Sequence, residues 1–401
     1  MNDISAPPPV IRLKPKADAR RIRHGAPWVF ADELVLDRRT RALAPGSVAV
    51  LEDNDRAPLG VVAVNPASRI VARILDRDPA ARIGPDWLAA RLERALGLRA
   101  RLYDAPFYRL VHAEGDGMPG LVIDRFGDVA VMQPNAAWAD LRAGEIAEAL
   151  VAVTGVGVVV LNGTGRARVQ EGLAEETRLL RGTVDGPVPV TMNGATYMAD
   201  VTGGQKTGLF YDQRPNHAFA ARLAGRARVL DLFSHVGGFA LAALAGGAES
   251  ALSVDSSAAA LALAQEGAEA GGMAARFATR RGDAFDTLAA LREEGANFDL
   301  VVADPPAFAP TRAALEKGLR AYERVAFMAA PLVAPGGFLV LCSCSHAAEL
   351  AKFRAACLRG IGRAGRAAQL LHTGFAGPDH PQHPALAETG YLKALFFRRD
   401  G

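Results

Sequence analysis

The chain has little lysine, little cysteine and no long apolar run, and each shortage closes off a class of protein. Of 401 residues six are lysine and three are cysteine, while aromatic residues make up only 6%. Cys342, Cys344 and Cys357 cluster near the C-terminal end, which is neither a disulfide framework nor a four-ligand zinc pattern, so reduced thiols are expected. The longest uncharged apolar stretch, near Val236 to Ala248, is too short to span a bilayer, and the N-terminus lacks the apolar core of a signal peptide. A cytoplasmic protein is expected. The net charge of +3 does not by itself announce a nucleic-acid partner. The basic charge is carried by forty arginines, whose planar fork suits phosphate. Abundant alanine offers the plainer source, genomic bias, and composition does not separate the two. With 50% hydrophobic and 22% charged residues, the chain suffices for two or three domains with sizeable cores.

The stretch ARVLDLFSHVGGFALAALAGGAESALSVD, Ala227 to Asp255, reads as an apolar strand, a turn of small residues, an Ala/Leu helix and a second strand ending in Asp. That is half of a doubly wound nucleotide-binding fold. In the dinucleotide fingerprint, glycines follow the first strand at once, so that bare amides approach a pyrophosphate. Here Asp231 ends the strand, and Leu232, Phe233, Ser234 and His235 precede Gly237 and Gly238. A carboxylate there repels a pyrophosphate and suits a cation. S-adenosylmethionine carries an ammonium and a sulfonium but no phosphate, and Asp255 is placed for its ribose hydroxyls. The plainer reading of such a unit is sheet-helix packing.

Residues 1–9, with Pro7, Pro8 and Pro9, read as a disordered leader. RLKPKADARRIRH, Arg12 to His24, sets a basic run against the single acid Asp18 and leads to Trp28 and Phe30. Basic charge beside exposed aromatics suits RNA, through Arg20, Arg21 and Arg23; a solvated helix face is the alternative. Short strands and turns from Val29 to Asp76 predict a small β-barrel. GAPWVFADEL and LGVVAVNPASRIVARIL in this segment resemble the PUA domain, an RNA-binding barrel, giving a domain over 10–78. A helix from Asp86 to Tyr103, hairpin-like strands through FYRLVHAEGDGMPGLVIDRFGDVAVMQ, a helix near Ala137 to Val153 and a strand near Val158 to Asn162 predict an α+β middle domain over 79–186. The hairpin VPVTMNGATYM, turning at Asn193-Gly194, opens the last domain, 187–401. VTGGQKTGLFYDQRPNH, Val201 to His217, is expected to close over the cofactor, with Lys206 as an RNA contact. An interdomain linker is the alternative.

Beyond Asp255 the strand-helix alternation predicts a parallel sheet with helices on both faces, and ligands at the carboxyl ends of its strands. Asp231, Asp255, Asp283, Asp304 and Cys344 all fall at such ends. Asp283, in GDAF, suits the exocyclic amine of adenine, with Ala284 or Phe285 against the ring; helix capping is its alternative. Asp304-Pro305-Pro306-Ala307-Phe308 forms a rigid loop suited to gripping a flipped base. In CSCSH, alternation puts Cys342, Cys344 and, if the strand continues, His346 on one face, too few ligands for a metal site. A Cys342–Cys344 disulfide would be strained. Cys342 is expected to be buried. Cys344 lies further out, with Ser345 expected to cap a following helix whose amino end would stabilise a thiolate, and so is the candidate nucleophile. Such a nucleophile is what carbon methylation needs: cytosine C5 becomes reactive only when a thiolate adds at C6. Asp304, if protonated, would donate toward N3.

Nearly the whole chain, Val10 to Arg398, resembles the bacterial PUA-containing class I S-adenosylmethionine-dependent ribosomal RNA (cytosine-C5) methyltransferases. GAPWVF, LVHAEGDGMPGLVIDRFGD, GGQKTGLFYDQR, LDLFSHVGGFAL, GDAF, DPPAFA and CSCSH carry the resemblance, in that order. It implies an α/β fold whose C-terminal, doubly wound, Rossmann-like methyltransferase domain follows a small PUA-like barrel and an α+β middle domain. It implies a cofactor site using Gln213, Asp231, Asp255, Asp283 and Asp304, with Cys344 as nucleophile and ribosomal RNA of the large subunit as partner; Phe233, Gly237 and Ala284 are expected as further cofactor contacts and Asp304 as a catalytic acid, no metal is expected, and a homodimer is a compatible assembly. Two departures stand out: His235 replaces the usual first glycine of the cofactor turn, and Ala307 leaves no second thiol after the prolines. The rivals are amino-group methylation of guanine or adenine, which uses an Asn-Pro-Pro-aromatic loop and no cysteine, and a non-catalytic RNA-binding assembly factor.

Overall fold

The computed structural model describes residues 8–204 and 207–400, leaving most of the leader, Gln205 and Lys206 outside the described residues. The chain divides into two units: residues up to Asp185 with Val201–Gly208 and Asp379–Leu386, and Gly186–Asp200 with Leu209–Pro378 and the chain from Ala387.

In the first unit, β1 (Val10–Arg12), β2 (Trp28–Phe30), β3 (Ser47–Glu52), β4 (Pro58–Val64) and β5 (Ile70–Asp76) pair in the order β1-β3-β4-β5-β2. A bridge between Leu13 and Leu34, just beyond β1 and β2, joins the two edges of this sheet and closes it as a barrel. Ile11, Val29, Leu51, Val62 and Val71 fill it, and each buried aliphatic side chain contributes about 1.5–3 kcal/mol. Gly60, at φ 142°, passes so close to the Asp76 carbonyl that a side chain would strike it.

The basic run forms a short helix, Ala19–Arg23, capped by Asp18, whose carboxylate accepts from the amides of Arg20 and Arg21. Two of its arginines are engaged within the unit. Arg21 donates to both oxygens of Glu33, at 2.7 and 2.9 Å, and to the Trp28 carbonyl, while Arg23 pairs with Asp53. Arg20 remains exposed. Trp28 and Phe30, expected to be exposed, are half-buried, because Trp28 Nε1 donates to Glu114 at 2.7 Å and the two rings pack edge to face.

A second core in this unit lies under β6 (Phe107–His112), β7 (Leu121–Phe126), β8 (Val129–Pro134), β9 (Val158–Gly163) and β10 (Glu176–Arg181), ordered β10-β9-β8-β7-β6. Helices Pro85–Leu102 and Ala143–Thr154 contribute to it. Two returning segments are tied in by buried charge. Asp124 accepts from Arg109 at both oxygens and from the Thr207 hydroxyl at 2.6 Å. Asp379 accepts from the Arg109 amide, and its carbonyl from Arg99. The Val201–His217 segment is therefore split between units: Val201–Gly208 belongs to the first, and Leu209 onward to the second.

The second unit opens with the hairpin β11 (Val188–Met192) and β12 (Ala195–Ala199). Asn193 and Gly194 both have positive φ, 53° and 75°, the geometry of a type I′ turn. Then come β13 (Arg228–Leu232), β14 (Ser250–Asp255), β15 (Phe277–Arg281), β16 (Phe298–Ala303), β17 (Val333–Ser343), β18 (Ala368–Gly374) and β19 (Lys393–Arg399), ordered β15-β14-β13-β16-β17-β19-β18. β13 to β17 are parallel, but β19 inserts antiparallel between β17 and β18, so the sheet is mixed rather than parallel. The cause is local: the link from β18 to β19 contains only a short 3₁₀ turn, Ala387–Thr389, and lacks the crossover helix that a parallel return needs.

Candidate active site

β13 carries Asp231 in the middle of the sheet, flanked by Ser253 and Val302 on the neighbouring strands. Its Oδ2 accepts from the Ala240 amide at 2.9 Å, in the first turn of helix Gly238–Ala245. Among the described residues its buried Oδ1 has no hydrogen-bond partner. Burial, reinforced by the charges of Asp304 and Asp255, pushes the carboxyl up to about 8 from its ordinary 3.8. Burial beside two further acids therefore disfavours the ionised form of this carboxyl in the ligand-free protein.

The turn after β13 explains His235. Phe233, His235 and Gly237 all take left-handed backbone, at φ 59°, 50° and 79°. In that conformation the His235 amide reaches Asp255 Oδ2 at 2.9 Å, and its ring packs edge-on against Phe210 at 4.9 Å. The missing glycine is replaced by a strained residue held by a carboxylate. Asp255, the last residue of β14, also accepts from Ser257 at 2.9 Å and is half-buried, which sets its height at the strand end. Asp283 is exposed and caps helix Ala284–Glu293, with Oδ1 accepting from Phe285 and Asp286 at 2.8 and 3.2 Å. Ala284 is buried behind it. Phe285, half-buried, has the Arg324 guanidinium over its ring at 4.5 Å.

Asp304 follows β16, and its amide donates to the Leu232 carbonyl at 3.3 Å, which ties its loop to the β13 turn. Gln213 is buried and donates from Nε2 to Asp304 Oδ2 at 2.9 Å, while its Oε1 accepts from Asn216 Nδ2 at 2.6 Å. Gln213 therefore orients a carboxylate. Asn216 was not singled out from sequence, although its spacing of three from Gln213 at a helix start puts the two on one face. The space Asn216 fills requires glycine at 374, where a Cβ would strike the amide.

Cys342 is 1% exposed, and burial holds its thiol well above the ordinary range, so it is an inert packing residue. Cys344 lies just past the end of β17 and is half-buried. Because the strand stops at Ser343, His346 does not continue its face and is exposed. Ser345 does not cap a helix, contrary to expectation. The next helix, Leu350–Arg363, starts too late, and the Ser345 hydroxyl is used inside the protein, accepting from the Ala309 amide at 3.0 Å and meeting the Tyr322 hydroxyl at 2.8 Å. The positive charge beside the Cys344 loop comes instead from Lys393, which was not singled out from sequence. It is 4% exposed and donates to the carbonyls of Ser345 and Ala348 at 2.7 and 2.9 Å. Burial pulls its ammonium down to about 8, against the opposing charge of Cys344.

Gln213, Asp231, Phe233, Gly237, Asp255, Asp283, Ala284, Asp304 and Cys344 thus share the carboxyl edge of one sheet in one unit. Arg20, Arg21 and Arg23 belong to the other unit, and Lys206 lies outside the described residues. Among the described residues no helix is long and apolar enough to cross a membrane.

This edge sets acids at the ends of the adjacent parallel strands β14, β13 and β16, an arrangement suited to the class of S-adenosylmethionine-dependent methyltransferases. The family model of that description matches residues 172–398, and a PUA-like domain model matches residues 11–77. A ribosomal RNA large subunit methyltransferase of Deinococcus radiodurans is 36% identical, with 98% of each chain covered. Ribosomal RNA large subunit methyltransferase I of Aeromonas salmonicida is 34% identical, covering 93% of this chain and 95% of its own. The chain belongs to this family of ribosomal RNA large subunit methyltransferases, joined to a PUA-like domain, and its cofactor is S-adenosylmethionine. The fold is also that of a candidate methyltransferase solved with S-adenosylhomocysteine, at TM-score 0.81 and 19% identity over 97% of this chain and 100% of the other. A second candidate methyltransferase, from Streptococcus mutans, gives 0.80 and 18% over the same shares.

Proposed function

We propose that the protein methylates C5 of a cytosine in large-subunit ribosomal RNA, with Cys344 as nucleophile. The half-exposed Cys344, beside the Asp304 loop and next to an inert Cys342, carries this reading. Bound S-adenosylmethionine supplies an electrophilic methyl group on a sulfonium. Asp231 would face its positive charge, Asp255 its ribose and Asp283 its adenine, while Phe233, Gly237 and Ala284 line the turn and Gln213 acts through Asp304. Cys344 sulfur bonds to C6, and the C5–C6 π electrons make C5 nucleophilic toward the methyl group. Asp304 donates a proton toward N3, so the ring carries no added negative charge. After transfer, loss of the C5 proton to a base returns its electron pair to the ring and expels the Cys344 thiolate, and N3 returns its proton to the Asp304 carboxylate. Methylation of an amino group needs no sulfur bond to RNA.

In this reading the PUA-like barrel contributes RNA affinity through the exposed Arg20, and Lys206, outside the barrel, is a further contact. Arg21 and Arg23 contribute mainly through the fold that their ion pairs stabilise. An RNA substrate with fluorine at C5 tests the mechanism. It should be methylated and then stay bonded to the protein, since fluorine does not leave as a proton does; free methylated product with no adduct would overturn it.

A further inference from the structure

We propose that Tyr322 is a positioning residue for methyl transfer, locking the Cys344 backbone to the Asp304 loop through its hydroxyl; this rests on Cys344 being the nucleophile. Tyr322 lies on helix Leu315–Ala329 and is 2% exposed. Its oxygen sits between the two serines that flank Cys344. Ser343 Oγ donates to it at 2.8 Å, and it meets Ser345 Oγ at 2.8 Å. The Ser345 amide in turn donates to Ser343 Oγ at 3.3 Å, so the residues either side of Cys344 close a hydrogen-bonded ring through one phenol.

The ring reaches the second catalytic loop as well. Ala309, five positions after Asp304, donates its amide to Ser345 Oγ at 3.0 Å. The rings of Phe308 and Phe353 lie 5.0 and 4.9 Å from that of Tyr322. The phenol is fixed by packing before its hydroxyl is used. Lys393 anchors the far end of the same loop through Ser345 and Ala348. Buried hydroxyls committed to one another hold two loops in a single relation, and covalent catalysis needs sulfur and proton donor on the ring at once.

Tyr322→Phe removes one oxygen and leaves the packing intact, which separates positioning from folding. A displacement of about 1 Å in a reacting group costs on the order of a hundredfold. Tyr322→Phe should therefore lower kcat and the rate of adduct formation with 5-fluorocytosine RNA roughly ten- to a hundred-fold. Affinity for S-adenosylmethionine and for RNA should be unchanged. Ser345→Ala should act alike, and the double variant should be no slower than the worse single one, because all three changes break one ring. Wild-type adduct rates in Tyr322→Phe, multiplicative losses in the double variant, or a loss matched by an equal loss of folded protein would each overturn the proposal. The Cys344→Ala control keeps the two claims apart: if it turns over, the nucleophile assignment fails and takes the role of Tyr322 with it. If it is inactive while Tyr322→Phe forms adduct at the normal rate, only the positioning role fails.

Discussion

Arg21 and Arg23 in the basic helix and Asp231 in the central strand are all charged residues in conspicuous sequence contexts, yet the fold treats them oppositely. Glu33 and Asp53 engage the two arginines within their unit. Asp231 keeps a buried oxygen to which no described residue donates, and burial beside other acids raises its carboxyl. A charged residue signals a ligand when the fold leaves it unsatisfied, and signals structure when a partner of opposite charge stands beside it.

Asp231→Asn breaks this comparison most sharply. The amide oxygen can still accept from Ala240, but the charge is gone, and an unpaired buried cation costs about 3–5 kcal/mol, so affinity for S-adenosylmethionine should fall by roughly two orders of magnitude or more. Stability should move the other way. The folded-state value of Asp231, about 8, lies above its ordinary 3.8. The neutral form's advantage is therefore fully present below about pH 4 and is lost as pH rises toward 8, destabilising the ligand-free protein. Asp231→Asn should flatten that decline in melting temperature between about pH 5 and 8. Calorimetry near neutral pH in buffers of different ionisation enthalpy should show proton release on cofactor binding, since the neutral carboxyl must ionise to meet a cation. An unchanged pH profile and no released proton would assign Asp231 to packing alone.

Asp255→Ala should have a smaller effect. A charge-assisted hydrogen bond to ribose contributes about 1.5–3 kcal/mol, roughly ten- to a hundred-fold in cofactor affinity. Because Asp255 also holds the His235 amide, the loss should lie toward the upper end. Wild-type affinity would move the ribose elsewhere. The smallest effect sharpens the other side of the comparison. Arg20→Ala should reduce the salt slope of RNA binding by about one and leave melting unchanged. Arg21→Ala should lower stability by breaking its bonds to Glu33 and Trp28. Equal salt slopes for Arg20→Ala and the wild type would remove the helix from the RNA surface.

What was legible in the sequence was what local chemistry encodes. The β13-turn-β14 unit, the Asn193-Gly194 hairpin and the acids at strand ends follow from periodicity and turn residues, because each is built from neighbours in the chain. The antiparallel insertion of β19 was not, since the order of strands depends on a connection whose lack of a helix sets direction without naming a neighbour. Nor was the use of Ser345. A serine before a helix reads as a cap, and only the arrival of Tyr322 and Ala309 from distant segments gives its hydroxyl other partners. Lys393 is illegible for the same reason: a lysine at the start of a strand reads as solvated until Ser345 and Ala348 turn their carbonyls to it.

Sulfur of Cys344, and not a bare carboxylate loop, is what we propose activates the RNA base. Peptide mapping of the species trapped with 5-fluorocytosine RNA tests it most directly. The adduct should map to Cys344, disappear together with turnover in Cys344→Ala, and persist in Cys342→Ala, where only stability falls from the truncated buried side chain. An adduct on Cys342, or normal methylation by Cys344→Ala, would contradict it.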